Sequence, residues 1–123
     1  MNDTLYANHD LIPNQSIRSA KNEFYARLQS DGNFVLYRSS VFEPYNALWS
    51  TDNYNLSVSK PFKLTMQTDG NLVLYDVNGH AVWASDTQNS GEAPRRLVMQ
   101  LDGNLAIKDK NCKTTWCTGT KVL

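Results

Sequence analysis

Glutamine, aspartate, asparagine, valine and tyrosine stand at alternate positions Gln29, Asp31, Asn33, Val35 and Tyr37, and the same five return at Gln67, Asp69, Asn71, Val73 and Tyr75. Together they offer an anionic acceptor, two carboxamides that donate and accept, a phenol hydroxyl and a small apolar patch. Nothing in the set is an obvious nucleophile. It suits a polyol, whose adjacent hydroxyls donate and accept and whose C–H groups lie between them. A third set keeps Gln100, Asp102 and Asn104 but has Ala106 and Lys108 where valine and tyrosine stood.

These residues need an element that turns every second side chain to one face, which is a β-strand. The stretch 29–37 recurs after 38 residues at 67–75, and a worn copy follows 33 residues later at 100–108. Such a period marks an array of supersecondary units that bury a shared core only together. Asp-Gly between alternating runs predicts a β-hairpin in each copy, closed by a tight primed turn at the positive φ that both residues tolerate. Phe34 and Leu36, Leu72 and Leu74, Leu105 and Ile107 then form the core face. A duplicated hairpin would keep Asp and Gly for the turn and Asn for backbone hydrogen bonding, but it gives no reason for Gln, Val and Tyr.

Along the chain, residues 4–6, 15–18 and 23–28 read as short strands, punctuated by Pro13-Asn14 and Lys21-Asn22. They are expected to complete the first unit's sheet or the last one's. Tyrosine to tryptophan spans 12 residues in the first copy and 8 in the second, and Lys108 to Trp116 spans 8 in the third. The first unit therefore carries a four-residue insertion, whose apolar and aromatic stretch 41–45 is expected to pack over a neighbouring site or against a partner. Each unit closes on tryptophan at Trp49, Trp83 and Trp116, followed by small and hydroxyl residues. Three indoles at equivalent places are expected in the core near a pseudo-threefold axis. Polar stretches 53–59 and 88–94 link the units, and helix has almost nowhere to form.

The 123 residues suit one domain, 1–123. Twelve basic and twelve acidic residues balance, so nothing points to nucleic acid or an anionic membrane surface. Apolar runs reach only about four residues, far short of the roughly 20 of a spanning helix, which predicts a soluble chain without membrane insertion. The first seven residues resemble no secretory signal, so the expected location is cytoplasmic, or outside the cell by an unrecognised route or after loss of a leader. N-glycosylation patterns begin at Asn2, Asn14 and Asn55 and matter only in a secretory pathway. An extended segment would hold the Cα atoms of Cys112 and Cys117 roughly 16 Å apart, beyond the about 7 Å of a disulfide. Two unpaired thiols are expected, with a local bend or a bond to another chain as alternatives, and no metal site.

The repeated pattern Gln-x-Asp-x-Asn-x-Val-x-Tyr with its tryptophan closure resembles the monocot mannose-binding lectins, also called bulb-type or B-type lectins, over nearly the whole chain. The resemblance implies an all-β fold, the β-prism II of three four-stranded antiparallel sheets, each able to hold one mannose without a metal or other cofactor. It implies that Asp31 and Asn33 bond the axial 2-hydroxyl, Gln29 the 3-hydroxyl and Tyr37 the 4-hydroxyl, with Val35 on the ring carbons. Gln67, Asp69, Asn71, Val73 and Tyr75 would do the same in a second site. A third site at Gln100, Asp102 and Asn104 is expected to be degenerate, since losing the phenol hydrogen bond and apolar packing costs on the order of 1–2 kcal/mol. Plant members carry a disulfide in the first sheet that this chain cannot form. Members often dimerise through the C-terminal strand, which makes residues 118–123 the expected homodimer contact.

Two other classes compete. As an enzyme, the chain would need more than the isolated His9 and His80, and Asp31 and Asp69 should face different sheets rather than act as a hydrolytic pair. As a protein-interaction or antimicrobial module on the same scaffold, it would use the apolar 41–45 loop and bind little sugar.

Overall fold

The structure is a computed structural model and describes residues 2–52 and 61–122. The described residues contain strands β1 (Thr4–Tyr6), β2 (His9–Leu11), β3 (Ser16–Arg18), β4 (Tyr25–Leu28), β5 (Phe34–Tyr37) and β6 (Ala47–Ser50). They continue with β7 (Pro61–Met66), β8 (Leu72–Asp76), β9 (Ala81–Ala84), β10 (Arg96–Met99), β11 (Leu105–Lys108) and β12 (Thr114–Cys117). A single turn of 3₁₀-helix, Pro44–Asn46, starts at proline inside the first unit's insertion. The linker at 53–59 and the Asn55 glycosylation pattern lie outside the described residues.

The strands make three four-stranded antiparallel sheets, β3-β4-β5-β6, β2-β7-β8-β9 and β1-β10-β11-β12. Each repeat supplies three strands. The fourth comes from the N-terminal segment, whose three short strands go to three different sheets: Leu5 pairs with Leu97, Leu11 with Leu64 and Ile17 with Ala26. This corrects the expectation of a segment completing the first or last sheet, which also overlooked β2. One polar-apolar-turn alternation repeated three times serves three sheet edges, so Leu5, Leu11 and Ile17 each drop one buried side chain into the common core.

That core is the inward face of every hairpin: Leu28, Phe34 and Leu36, then Leu64, Met66, Leu72 and Leu74, then Leu97, Met99, Leu105 and Ile107. Trp49, Trp83 and Trp116 pack against it and against one another, with ring centroids 5.7–5.8 Å apart and planes at 71–73°. Each indole edge meets a neighbour's face, the arrangement the ring quadrupole favours by about 0.5–1.5 kcal/mol per pair. A closed cycle of three such contacts ties β6, β9 and β12, and hence the three sheets, at the axis. A register shift recurs just before each tryptophan, opposite Leu36/Tyr37, Leu74/Tyr75 and Ile107/Lys108. Such a bulge bends and twists the outer strand.

Both cysteines are free and exposed. No helix among the described residues is long and apolar enough to cross a membrane.

Candidate functional site

Each motif folds as a three-residue hairpin loop. The Gly32 N–H donates to the Gln29 carbonyl at 2.9 Å and the Gln29 N–H to the Asn33 carbonyl at 2.9 Å, and the pattern repeats at Gln67–Gly70–Asn71 and Gln100–Gly103–Asn104. Only the glycine of each Asp-Gly pair takes positive φ, 92°, 94° and 89°. The loop is therefore a common turn closed by a glycine bulge, not the primed turn expected from the Asp-Gly signal. Aspartate keeps ordinary φ and uses its carboxylate to cap the loop. Its Oδ1 accepts the backbone N–H two residues on, at 2.9 Å for Asp31–Asn33, 2.9 Å for Asp69–Asn71 and 3.0 Å for Asp102–Asn104.

The asparagines are tied to the strand after the tryptophan. Thr51 accepts from the Phe34 N–H at 3.1 Å and donates to Asn33 Oδ1 at 3.1 Å. Ser85 does the same between Leu72 and Asn71, and Thr118 between Leu105 and Asn104. These hydroxyls fix the amide plane of each asparagine, and sequence reasoning missed them. Their signal was present in the Ser or Thr that follows each tryptophan by two residues.

In the first motif the Tyr37 hydroxyl donates to Gln29 Oε1, and Gln29 Nε2 donates to both Asp31 oxygens at 3.3 and 3.2 Å. In the second, Gln67 Nε2 donates to the Tyr75 hydroxyl oxygen. In the third, Gln100 still donates to Asp102 at 3.1 Å, but Lys108 turns away to Thr114 at 2.6 Å. Each motif thus brings its polar residues together on one hairpin, and the third lacks the phenol end. Val35 and Val73 are only 3% exposed, so the apolar contribution to this face is smaller than strict alternation suggests.

The surroundings of the first two motifs differ. Phe42 from the insertion lies 5.2 Å, ring to ring, from Tyr37 and 5.6 Å from Tyr25, with the Arg27 guanidinium 4.6 Å above its face. Phe42 thus packs the inserted loop on its own unit's motif. Tyr37 is left 4% exposed beside a cleft of about 230 Å³. Burial foremost, then the Asp31 charge, raises the Tyr37 hydroxyl above the ordinary tyrosine pKa against the pull of Arg27. At the second motif nothing equivalent covers Tyr75 among the described residues, and a cleft of about 530 Å³ opens over Gln67, Asp69 and Tyr75 toward Asn8, Lys63 and Gly79.

The turns are braced from neighbouring repeats. Arg95, buried, donates to the carbonyls of Thr68 at 3.0 Å, Ser90 at 3.0 Å and Gly91 at 2.8 Å, and it lies so close that a side chain at Gly70 would meet its Nε at 3.0 Å. Phe24 stands in the same relation to Gly103. No group of three or more His, Cys, Asp or Glu side chains that could hold a metal ion occurs among the described residues.

Three sheets around an indole-lined axis, each carrying a carboxylate and two carboxamides on one hairpin and two of them a phenol hydroxyl as well, define a β-prism II lectin, a carbohydrate-binding protein rather than an enzyme. No protein-family model matches the chain. It is 37% identical over 83 residues to the B-type lectin plumieribetin of Scorpaena plumieri, 68% of this chain and 66% of that protein. It is 35% identical over 83 residues to a mannose-specific lectin of Aloe arborescens, 68% of each. Among solved structures, a monomeric monocot mannose-binding lectin from Gastrodia elata matches with a TM-score of 0.81 at 33% identity, over 98% of this chain and 99% of that one. The chain belongs to the B-type, or bulb-type, lectin family.

Proposed function

We propose that residues 1–123 form one lectin domain that binds α-mannose and mannose-containing glycans at two shallow metal-independent sites, one at Gln29, Asp31, Asn33, Val35 and Tyr37 and one at Gln67, Asp69, Asn71, Val73 and Tyr75. The remnant at Gln100, Asp102 and Asn104 is weak or lost. One observation carries the reading: the Asn71 carbonyl is committed to the Ser85 hydroxyl and the Thr87 N–H, both at 3.2 Å, which leaves its amide nitrogen as the group with donors to offer, while Asp69, two residues away, supplies an acceptor at the cleft. On this reading a single sugar hydroxyl would accept from the Asn71 amide and donate to the Asp69 carboxylate, the role of the axial 2-hydroxyl that glucose lacks. The Aloe and Gastrodia relatives, named for mannose, support the choice of sugar.

Open single-sugar sites bind at about millimolar strength, near −4 kcal/mol. Linking sites then matters, because it raises avidity about 10²–10⁴-fold. A homodimer through residues 118–123 would add to this; those of them that are described dock on their own chain, with Val122 N–H on the Asp102 carbonyl at 2.6 Å, and exchange would remake the same bonds between copies. Deleting residues 118–123 should leave a monomer by light scattering, and an unchanged dimer rejects the contact.

Titrating methyl α-mannoside and methyl α-glucoside by calorimetry and NMR tests the reading. Saturable binding of the mannoside alone, with shifts at Tyr37 and Tyr75, is expected. Binding of neither favours the protein-interaction reading, for which the exposure of Val41 (50%) and Tyr45 (70%) on the inserted loop is the supporting observation.

A further inference from the structure

The position opposite the motif tyrosine is filled differently in each sheet. Tyr25 faces Tyr37, Lys63 faces Tyr75 and Arg96 faces Lys108. Tyr25 is covered by Phe42. Arg96 is engaged by the Asp109 carbonyl at 3.2 Å and Cys112 Sγ at 3.5 Å. Lys63 is half-buried at the wall of the second cleft, its Nζ 5.7 Å from the centre of the Tyr75 ring, and it forms no hydrogen bond or ion pair among the described residues. Two acids keep their charge away from Lys63: Asp10 accepts from the hydroxyl of Thr65, a cleft residue, at 2.6 Å, and Asp69 lies at the turn, where its Oδ1 caps the Asn71 N–H. An anion entering the cleft is therefore drawn to the Lys63 side and repelled from the Asp69 side. The cleft, at about 530 Å³ against about 230 Å³ in the first motif, has room for more than the same single ring.

We propose that the second site prefers mannose carrying a negative group on carbon 6, a phosphate ester or a carboxylate, with Lys63 as the specificity residue. The inference rests on the mannose reading. If Tyr75 takes the 4-hydroxyl and Asp69 and Asn71 the 2-hydroxyl, the carbon-6 arm leaves the ring next to carbon 4, on the tyrosine side where Lys63 stands. The first cleft has a cation in its wall, Arg27, but that guanidinium is held on the Phe42 ring and by the Asn14 carboxamide at 3.1 Å, so it is not free to turn toward a carbon-6 anion as Lys63 is.

The test titrates the full chain with methyl α-mannoside, mannose 6-phosphate, methyl α-mannuronoside and inorganic phosphate, reading affinity by calorimetry and the site by the Tyr75 ring signals. Mannose 6-phosphate is expected to bind the second site roughly fivefold more tightly than the neutral mannoside at low salt, the gain shrinking as salt screens it. Lys63→Met should bring the two affinities within about twofold of each other, and Lys63→Arg should keep them apart. A gain with the mannuronoside as well identifies any carbon-6 anion as sufficient, and a gain with the phosphate alone identifies the ester. Equal affinities in the unaltered chain, a preference that survives Lys63→Met, or inorganic phosphate binding as tightly as the sugar phosphate would each overturn the assignment while leaving the mannose reading standing. Failure of every sugar to bind would overturn both.

Discussion

The first and second motifs differ in sequence only at Ser30 against Thr68 and Phe34 against Leu72, yet one tyrosine is buried under an aromatic loop and the other stands in an open cleft. The difference comes from outside the motif. The four-residue insertion delivers Phe42 onto Tyr37, and the partner strand delivers Arg27 to hold that ring, whereas the second unit turns directly from Asp76 to Ala81 and leaves Lys63 beside Tyr75 at the cleft wall. A repeated hairpin thus keeps the chemistry that faces a ligand, and its neighbours decide how large and how charged the approach is.

The bluntest way to break the comparison is to remove the glutamine from both motifs. Gln29 joins the Tyr37 hydroxyl to Asp31, and Gln67 holds the Tyr75 hydroxyl, so truncating either loses hydrogen bonds worth about 1 kcal/mol apiece. Gln29→Ala with Gln67→Ala should weaken mannoside binding at least tenfold at each site, beyond ready detection for a millimolar ligand. Full residual binding by calorimetry would show that the third motif or another surface carries it.

Phe42→Ala sharpens the contrast instead. It removes two ring contacts of about 0.5–1.5 kcal/mol and a cation–π contact of about 0.5–1 kcal/mol, so a loss of about 2 kcal/mol in unfolding free energy is expected from denaturant titration. The first cleft should then resemble the second, with mannoside-induced shifts changing at Tyr37 and not at Tyr75. Equal changes at both rings would mean that the loop does not discriminate the sites. Smaller still, Ala106→Val with Lys108→Tyr should return on the order of 1–2 kcal/mol to the third motif, raising the number of sugars bound per chain; an unchanged stoichiometry would place the defect elsewhere in that hairpin.

The prism was legible because its signals are local and repeated: alternation sets each strand's inward face, the period sets the units, and a tryptophan ends each one. The three-way division of the N-terminal segment was not, since strands of three residues carry no mark of which edge they join. Within the motifs, the residues that meet on each hairpin were readable from spacing. Thr51, Ser85 and Thr118 were overlooked because fixing an asparagine amide depends on a contact across strands. Arg95 and Lys63 were invisible for a related reason: their roles depend on a neighbouring repeat or on the absence of a partner, and neither leaves a pattern along the chain.

The finest distinction is one proton. Tyr37 has its pKa raised chiefly by burial and next by the Asp31 charge, so its neutral form is favoured in the folded chain. A group whose folded pKa lies above its unfolded value binds its proton more tightly when folded. Its contribution to stability is complete below pH 10, the ordinary tyrosine value, and is lost as pH rises through the folded pKa. Ionisation would also remove the proton that Tyr37 donates to Gln29, so the hydrogen-bonded chain through Asp31 should come apart over the same window. An ultraviolet difference titration of the chain against Tyr37→Phe isolates this one hydroxyl among the six tyrosines. It should ionise above pH 10, and Phe42→Ala should bring it down toward that value by letting water reach the ring. A Tyr37 that titrates as an ordinary tyrosine in the unaltered chain would mean that Phe42 does not cover the first site in solution, and the asymmetry between the two sites would then rest on Lys63 alone.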